Sequence, residues 1–194
     1  NMTIKTLYYG IYLYSSSKNS IAGNNITANN YGIWLESSSN NSIIGNNITN
    51  SSLGILFTMT SENNTVSRNG VKDNVNGIFF GDSSYYNEII ENDIKSNNQS
   101  GIYVGGYSAY NFITQNSLTN NIYGIKFDYS SSDNTIYHNN FIDNTYQADT
   151  NLANLWDDGY PSGGNYWSDY TGVDADIDGI GDTPYIINMN NIDH

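Results

Sequence analysis

The 194-residue chain has no cysteine, two prolines and six basic residues, of which Arg68 is the single arginine. Without cysteine there are no disulfides and no thiolate metal site. A secreted protein can do without disulfides, so this absence constrains the compartment little. Six cations against nineteen acids give a net charge of −13 and a pI near 4.1, which argues against nucleic acid as a partner. No apolar run approaches membrane-spanning length, and no window carries the 3.6-residue period of a helix. No signal peptide opens the chain, which starts at Asn1 rather than Met, so we expect a fragment of a longer protein.

What the chain does have is asparagine, and it recurs. A unit begins at Asn19, Asn41, Asn64, Asn87, Asn111 and Asn134, at spacings of 22, 23, 23, 24 and 23 residues. Five places on stands a second Asn in every copy: Asn24, Asn46, Asn69, Asn92, Asn116 and Asn139. Two and seven places on are apolar residues, such as Ile43 and Ile48 in the copy that starts at Asn41. A glycine follows (Gly32, Gly54, Gly77, Gly101, Gly124), each leading an apolar-x-apolar triplet such as Ile33-Trp34-Leu35. A period of this length marks a solenoid.

Short segments rich in β-branched residues, cut by Gly and Asn, are strand signals. The expected fold is therefore all-β: a right-handed, single-stranded parallel β-helix of about six to seven coils of 22–24 residues. Stacked in register, the Asn amides can bond to those above and below, and Asn tolerates the left-handed conformation that a corner requires. Both Asn columns read as structural ladders. Residues 1–150 are expected to form the coils, the first one incomplete, and 151–194 an irregular C-terminal cap within the same domain. At Gln147 the pattern fails where Gly is due, and ten of the nineteen acids lie at or after Asp143.

One column breaks the rule that polar residues face out. The middle residue of each triplet lies between two inward ones and must point outward. Down the stack that column reads Tyr12, Trp34, Leu56, Phe79, Tyr103, Lys126. Tyr12, Trp34, Phe79 and Tyr103 are thus a candidate carbohydrate-binding or interface stripe. Either a polysaccharide or cell-envelope glycan, or else the tail, a neighbouring domain or a second copy of the chain, would cover it. A second constellation runs Asp174-Ala-Asp176-Ile-Asp178-Gly-Ile180-Gly-Asp182. Carboxylates at positions 1, 3, 5 and 9, Gly at 6 and the Ile180 carbonyl at 7 follow the spacing of a looped Ca²⁺ site. Position 12 is Tyr185, so the bidentate Glu of the complete loop is missing. The alternative is a solvated acidic turn.

The segments Gly164-Asn-Tyr-Trp-Ser-Asp-Tyr170 and Asp178-Gly-Ile-Gly-Asp-Thr-Pro-Tyr185, following Asn-ladder repeats, resemble β-helix proteins of the NosD/CASH type, which archaeal cell surfaces use heavily. The resemblance covers essentially the whole chain. It implies an extracellular, carbohydrate-associated or envelope role, or an accessory role in maturing a copper enzyme. For copper the residues offer only Met2, Met59, Met189, His138 and His194. Seven glycosylation sequons, at Asn1, Asn25, Asn40, Asn47, Asn50, Asn63 and Asn98, fit an extracellular surface but also arise by chance in so Asn-rich a chain.

Similar β-helices include polysaccharide lyases, hydrolases and epimerases, which makes a fragment of such an enzyme the alternative function. Glycoside hydrolysis needs two carboxylates about 5 to 9.5 Å apart, and no outward column places acids on neighbouring coils. The cluster Arg68, Lys72, Glu91, Asp93 and Lys95 is expected to pair within itself. The sequence therefore points to a non-catalytic extracellular module.

Overall fold

A computed structural model describes residues 1–194, and all regular structure in it is strand. Three parallel sheets of eight, seven and six strands run the length of the molecule. Strands of one coil pair in register with those of the next, as in Ile26↔Ile48, Ile33↔Ile55 and Ile43↔Val66. We call sheet B the seven-stranded face built from Tyr9–Tyr14, Tyr31–Glu36, Leu53–Thr58, Asn76–Phe80, Ser100–Val104, Tyr123–Phe127 and Tyr146–Asp149. Sheet A, of eight strands, begins at Thr3–Lys5, and sheet C, of six, begins at Ser20–Ala22.

The period exists because each coil buries the same few inward positions. Ile21, Ile43, Val66, Ile89, Ile113 and Ile136 stack under sheet C, and Ile26, Ile48, Val71, Ile94, Leu118 and Phe141 under sheet A. The glycine column has a steric cause. An added Cβ on Gly54 would stand 2.5 Å from the carbonyl oxygen of Gly77 in the next coil. No side chain fits between backbones that close.

The two asparagine ladders are present, and each rung makes two bonds forward. The backbone N–H and Nδ2 of Asn69 both donate to Oδ1 of Asn92, each at 3.0 Å. Nδ2 also reaches inward, to the Ile43 carbonyl at 2.9 Å. The left-handed bend, however, does not fall on the ladder residues. It falls on the residue before each, at Arg68, Glu91 and Gln115 ahead of Asn69, Asn92 and Asn116, with φ between 54° and 57°. The preceding residue turns the chain so that the Asn side chain can point inward and its amide can lie along the stack.

The structure adds two ladders. Asn29, Ser51, Asn74, Asn97, Asn121 and Asn144 form a third at the corner before sheet B, with Asn97 Nδ2 donating to Asn121 Oδ1 at 3.0 Å. A buried serine column forms a fourth, as in Ser38 N–H to Ser61 Oγ at 3.1 Å. Coil geometry also goes on beyond Gln147. That residue is buried where the glycine would stand, accepts from Asn144 Nδ2 at 2.8 Å and donates to Ser168 Oγ at 2.9 Å. Asn154 then extends the first ladder and Asn165 the second. Trp156 and Trp167 close the core, and Asn191 and Asp193 end the two ladders.

Candidate functional site

Sheet B carries the aromatic stripe as the alternation requires. Tyr12 pairs in register with Trp34, Trp34 with Leu56, Leu56 with Phe79, Phe79 with Tyr103 and Tyr103 with Lys126. Tyr12 is exposed, and Trp34, Phe79 and Tyr103 are half-buried with no ring turned into the core. Leu56, only 5% exposed, divides the column into two groups. The first group is larger than the triplet column alone. Tyr9 and Tyr31, which precede the glycines, form a parallel column beside it. Tyr9, Tyr12, Tyr31 and Trp34 make a two-by-two block, with Tyr9–Tyr31 centroids 5.8 Å apart and Tyr12–Trp34 4.9 Å apart. Tyr8 and Tyr14 flank it. Tyr9 and Tyr31 were visible in the sequence, but the two consecutive inward positions that follow, Gly32 and Ile33 after Tyr31, hide such a residue from a strict two-residue alternation.

Ring orientation is a tertiary fact with chemical consequences. Aromatic rings cannot lie flat side by side at the strand spacing of about 4.8 Å, so neighbours in a column stand up and stack. Phe79 and Tyr103 do so at 4.5 Å and 15°, and Tyr123 and Tyr146 at 5.0 Å and 17°. Two of the stripe rings are also pinned one coil on. Trp34 Nε1 donates to Thr58 Oγ1 at 2.8 Å, and the Tyr12 hydroxyl donates to Glu36. That bond pushes the Tyr12 phenol up to about 12, and burial, helped by Asp128, does the same for Tyr103. The rings are preorganised, with free faces chiefly at the ends of stacks. Farther along, Lys126 is neutralised by Asp149 at 3.1 Å and lies over the Tyr123 ring.

The acidic loop converges in part. Asp174, Asp176 and Asp178 place carboxylate oxygens within 4.8 Å of one another. Gly179, at φ 92°, makes the bend, and Asp174 accepts the Gly179 N–H at 3.0 Å. Asp182 stands outside the trio. Its Oδ2 accepts the Ala175 N–H at 2.7 Å, and the Ile180 N–H donates to Asp178 Oδ1 at 2.8 Å.

The mid-solenoid charge cluster is paired in part, Arg68 with Glu91 at 3.5 Å and Lys95 with Asp93 at 3.2 Å, while Lys72 makes no ion pair. A concavity of about 560 Å³ lies elsewhere, between the last coil and the tail. Asp193 closes one wall of it, only 3% exposed. Its Oδ2 accepts Trp167 Nε1 at 2.6 Å and the Asn165 N–H at 2.8 Å, while Oδ1 has no partner. Burial outweighs those donors and pushes its carboxyl up to about 6.

The family described as "Periplasmic copper-binding protein (NosD)" matches residues 1–172. The chain belongs to the NosD family. A 67-residue stretch is 42% identical to a "Probable ABC transporter binding protein NosD" of Pseudomonas aeruginosa, covering 34% of this chain and 16% of that protein. The chain therefore spans a small part of the curated NosD relative it matches. Among solved structures, the periplasmic alginate epimerase AlgG is similar at TM-score 0.69 and 22% identity, over 91% of this chain and 40% of that one. A substituted form of AlgG aligns at TM-score 0.68 and 25% identity over 72% of this chain and 34% of that one. These likenesses establish the coil fold. The family's description is periplasmic, and no helix here is long and apolar enough to cross a membrane.

The copper in the NosD description finds no matching donors here. The one convergent group of acids or histidines is the Asp174 trio, all oxygen, which suits a hard cation rather than copper. His138 faces Ser162 and His194 faces Asp157. Met2, Met59 and Met189 are exposed and sit in the first coil, the third, and the turn of a C-terminal hairpin formed by Tyr185–Asn188 and Asn191–Asp193.

Proposed function

We propose that this NosD-family chain is a non-catalytic β-helix module acting outside the cytoplasmic membrane, and that the end of sheet B binds an extended neutral polysaccharide. The observation that carries the reading is the block of Tyr9, Tyr12, Tyr31 and Trp34, interlocked and solvent-facing, with the polar edges of Tyr12 and Trp34 already bonded. Apolar sugar faces and C–H edges pack against such rings at little entropic cost, because the rings are already held. A net charge of −13, with Glu36, Asp128 and Asp149 on or beside the sheet, disfavours polyuronates. The acidic loop would hold one Ca²⁺ through Asp174, Asp176 and Asp178, with the Ile180 carbonyl and Asp182 nearby, and so fix the tail.

The test is retention on immobilised neutral glycans. The double variant Tyr12→Ala with Trp34→Ala should lose retention while keeping its melting temperature within a few degrees. Retention unchanged across a glycan panel overturns the reading. A shift from oligomer to monomer in the same variant would make this face an interface between copies. The likeness to AlgG favours one other reading, part of a polysaccharide-modifying enzyme. Product formation from alginate, lost on Glu91→Gln or Asp93→Asn, would establish it.

A further inference from the structure

We propose that the cleft at the C-terminal end of the solenoid is a second sugar site, which takes a single neutral pyranose, such as the end of a glycan chain. It is separate from sheet B and formed by residues far apart in sequence. Its volume of about 560 Å³ falls in the range of small-molecule sites.

On sheet B the rings of one column cover one another. Under sheet A the core column ends instead in a three-ring stack, Phe141, Trp167 and Tyr185, with centroids 4.4 and 4.2 Å apart and planes within 8° and 4°. Trp167 has both faces taken and is buried. Tyr185 is the last ring of the stack, has no aromatic neighbour beyond Trp167, and lines the cleft. Its hydroxyl is held by both oxygens of Asp169 at 3.2 Å, so the ring is fixed before any ligand arrives. A rigid terminal ring in a concavity is what the apolar face of a pyranose needs.

The remaining walls supply neutral hydrogen-bonding groups. Tyr166, 58% exposed, stands at the side with Asn140 and His138. Tyr170 donates to the Thr183 carbonyl at 2.6 Å and occupies the space that side chains on Gly172 and Gly181 would fill. Those two positions stay open to the backbone for that reason. No lysine or arginine lines the cleft, whereas Asp174 and Asp193 do. An anionic ligand would meet two carboxylates and no lysine or arginine to balance it, whereas a polyhydroxylated neutral ring meets donors and acceptors on all sides.

The experiment uses the full chain and the methyl glycosides of glucose, galactose and mannose as probes, by saturation-transfer NMR and calorimetric titration. At least one probe should bind saturably, with affinity reduced about tenfold or more in Tyr166→Ala and in His138→Ala. Both residues are at the surface, and thermal melting verifies folding. The variant Tyr12→Ala with Trp34→Ala should bind the same glycoside as the parent does, even where it no longer holds polymer. The proposal fails if no probe binds saturably, if binding survives both cleft substitutions, or if binding disappears with the sheet B pair.

Discussion

Asp193 gives the sharpest physical test, because its environment sets the sign of a pH effect. It ends the second ladder, where every earlier rung is an asparagine. Its folded-state pKa of about 6 lies above the reference value of 3.8. Between those values the folded chain binds the proton and the unfolded chain releases it. The stabilisation is therefore complete below about pH 4 and is lost as pH rises through 6. A displacement of about 2 units corresponds to about 3 kcal/mol. For a chain of this size that is roughly 6 to 12 °C in melting temperature. The perturbation is Asp193→Asn, which keeps the oxygen used by Trp167 and Asn165 and puts an NH₂ where Oδ1 has no donor. The assay is urea unfolding of both proteins from pH 4.5 to 7.5. Other titrating groups, including the charge relief expected at −13, cancel in the difference between the two proteins. We expect the variant to gain on the parent by up to about 3 kcal/mol toward neutral pH. Parallel stability curves would refute the reasoning.

Further outcomes follow from the ladders, the glycine column and the acidic loop. Asn92→Ala leaves the Asn69 N–H and the Val66 carbonyl without their partner in the buried stack and should cost about 2 to 5 kcal/mol in denaturant unfolding. Asn25→Ala removes one exposed bond and should change stability by less than about 0.5 kcal/mol; equal effects would deny the ladder its role. Gly54→Ala must push apart two coils at the Gly77 carbonyl and should destabilise by more than about 2 kcal/mol, so a neutral result would show that the coils can spread. Millimolar Ca²⁺ against EDTA should raise the melting temperature, an effect that Asp176→Ala abolishes, and coincident melts would leave Asp174, Asp176 and Asp178 as an acidic turn.

Repetition is why so much of this protein can be read from its residues. Each coil solves the same packing problem, so the inward Ile and Val columns, the Asn rungs and the outward Tyr12-to-Lys126 column recur at the coil spacing. The third and fourth ladders were legible on the same terms. Asn74, Asn97, Asn121 and Asn144 stand ten places after their coil starts, and Ser38, Ser61, Ser84 and Ser108 three places before. A serine column carries little signal because serine is common in turns, and Ser51 interrupts the asparagine of the third ladder.

Other features were decided in three dimensions. Which residue carries the left-handed bend depends on backbone geometry shared by Arg68, Glu91 and Gln115, three side chains with nothing in common. Whether aromatic rings lie flat or stand stacked depends on the distance between coils, which no single coil encodes. The tail does not repeat, so no period reports its partners. Trp156 meets Asn191 across 35 residues, and Trp167 meets Asp193 across 26. The sequence alone determined the solenoid, its core and the face that bears the aromatics, because those follow from local alternation multiplied by translation. Tertiary structure alone decided the closure at Asp193 and the cleft beside Tyr185, because both arise from single contacts between distant, unrepeated residues.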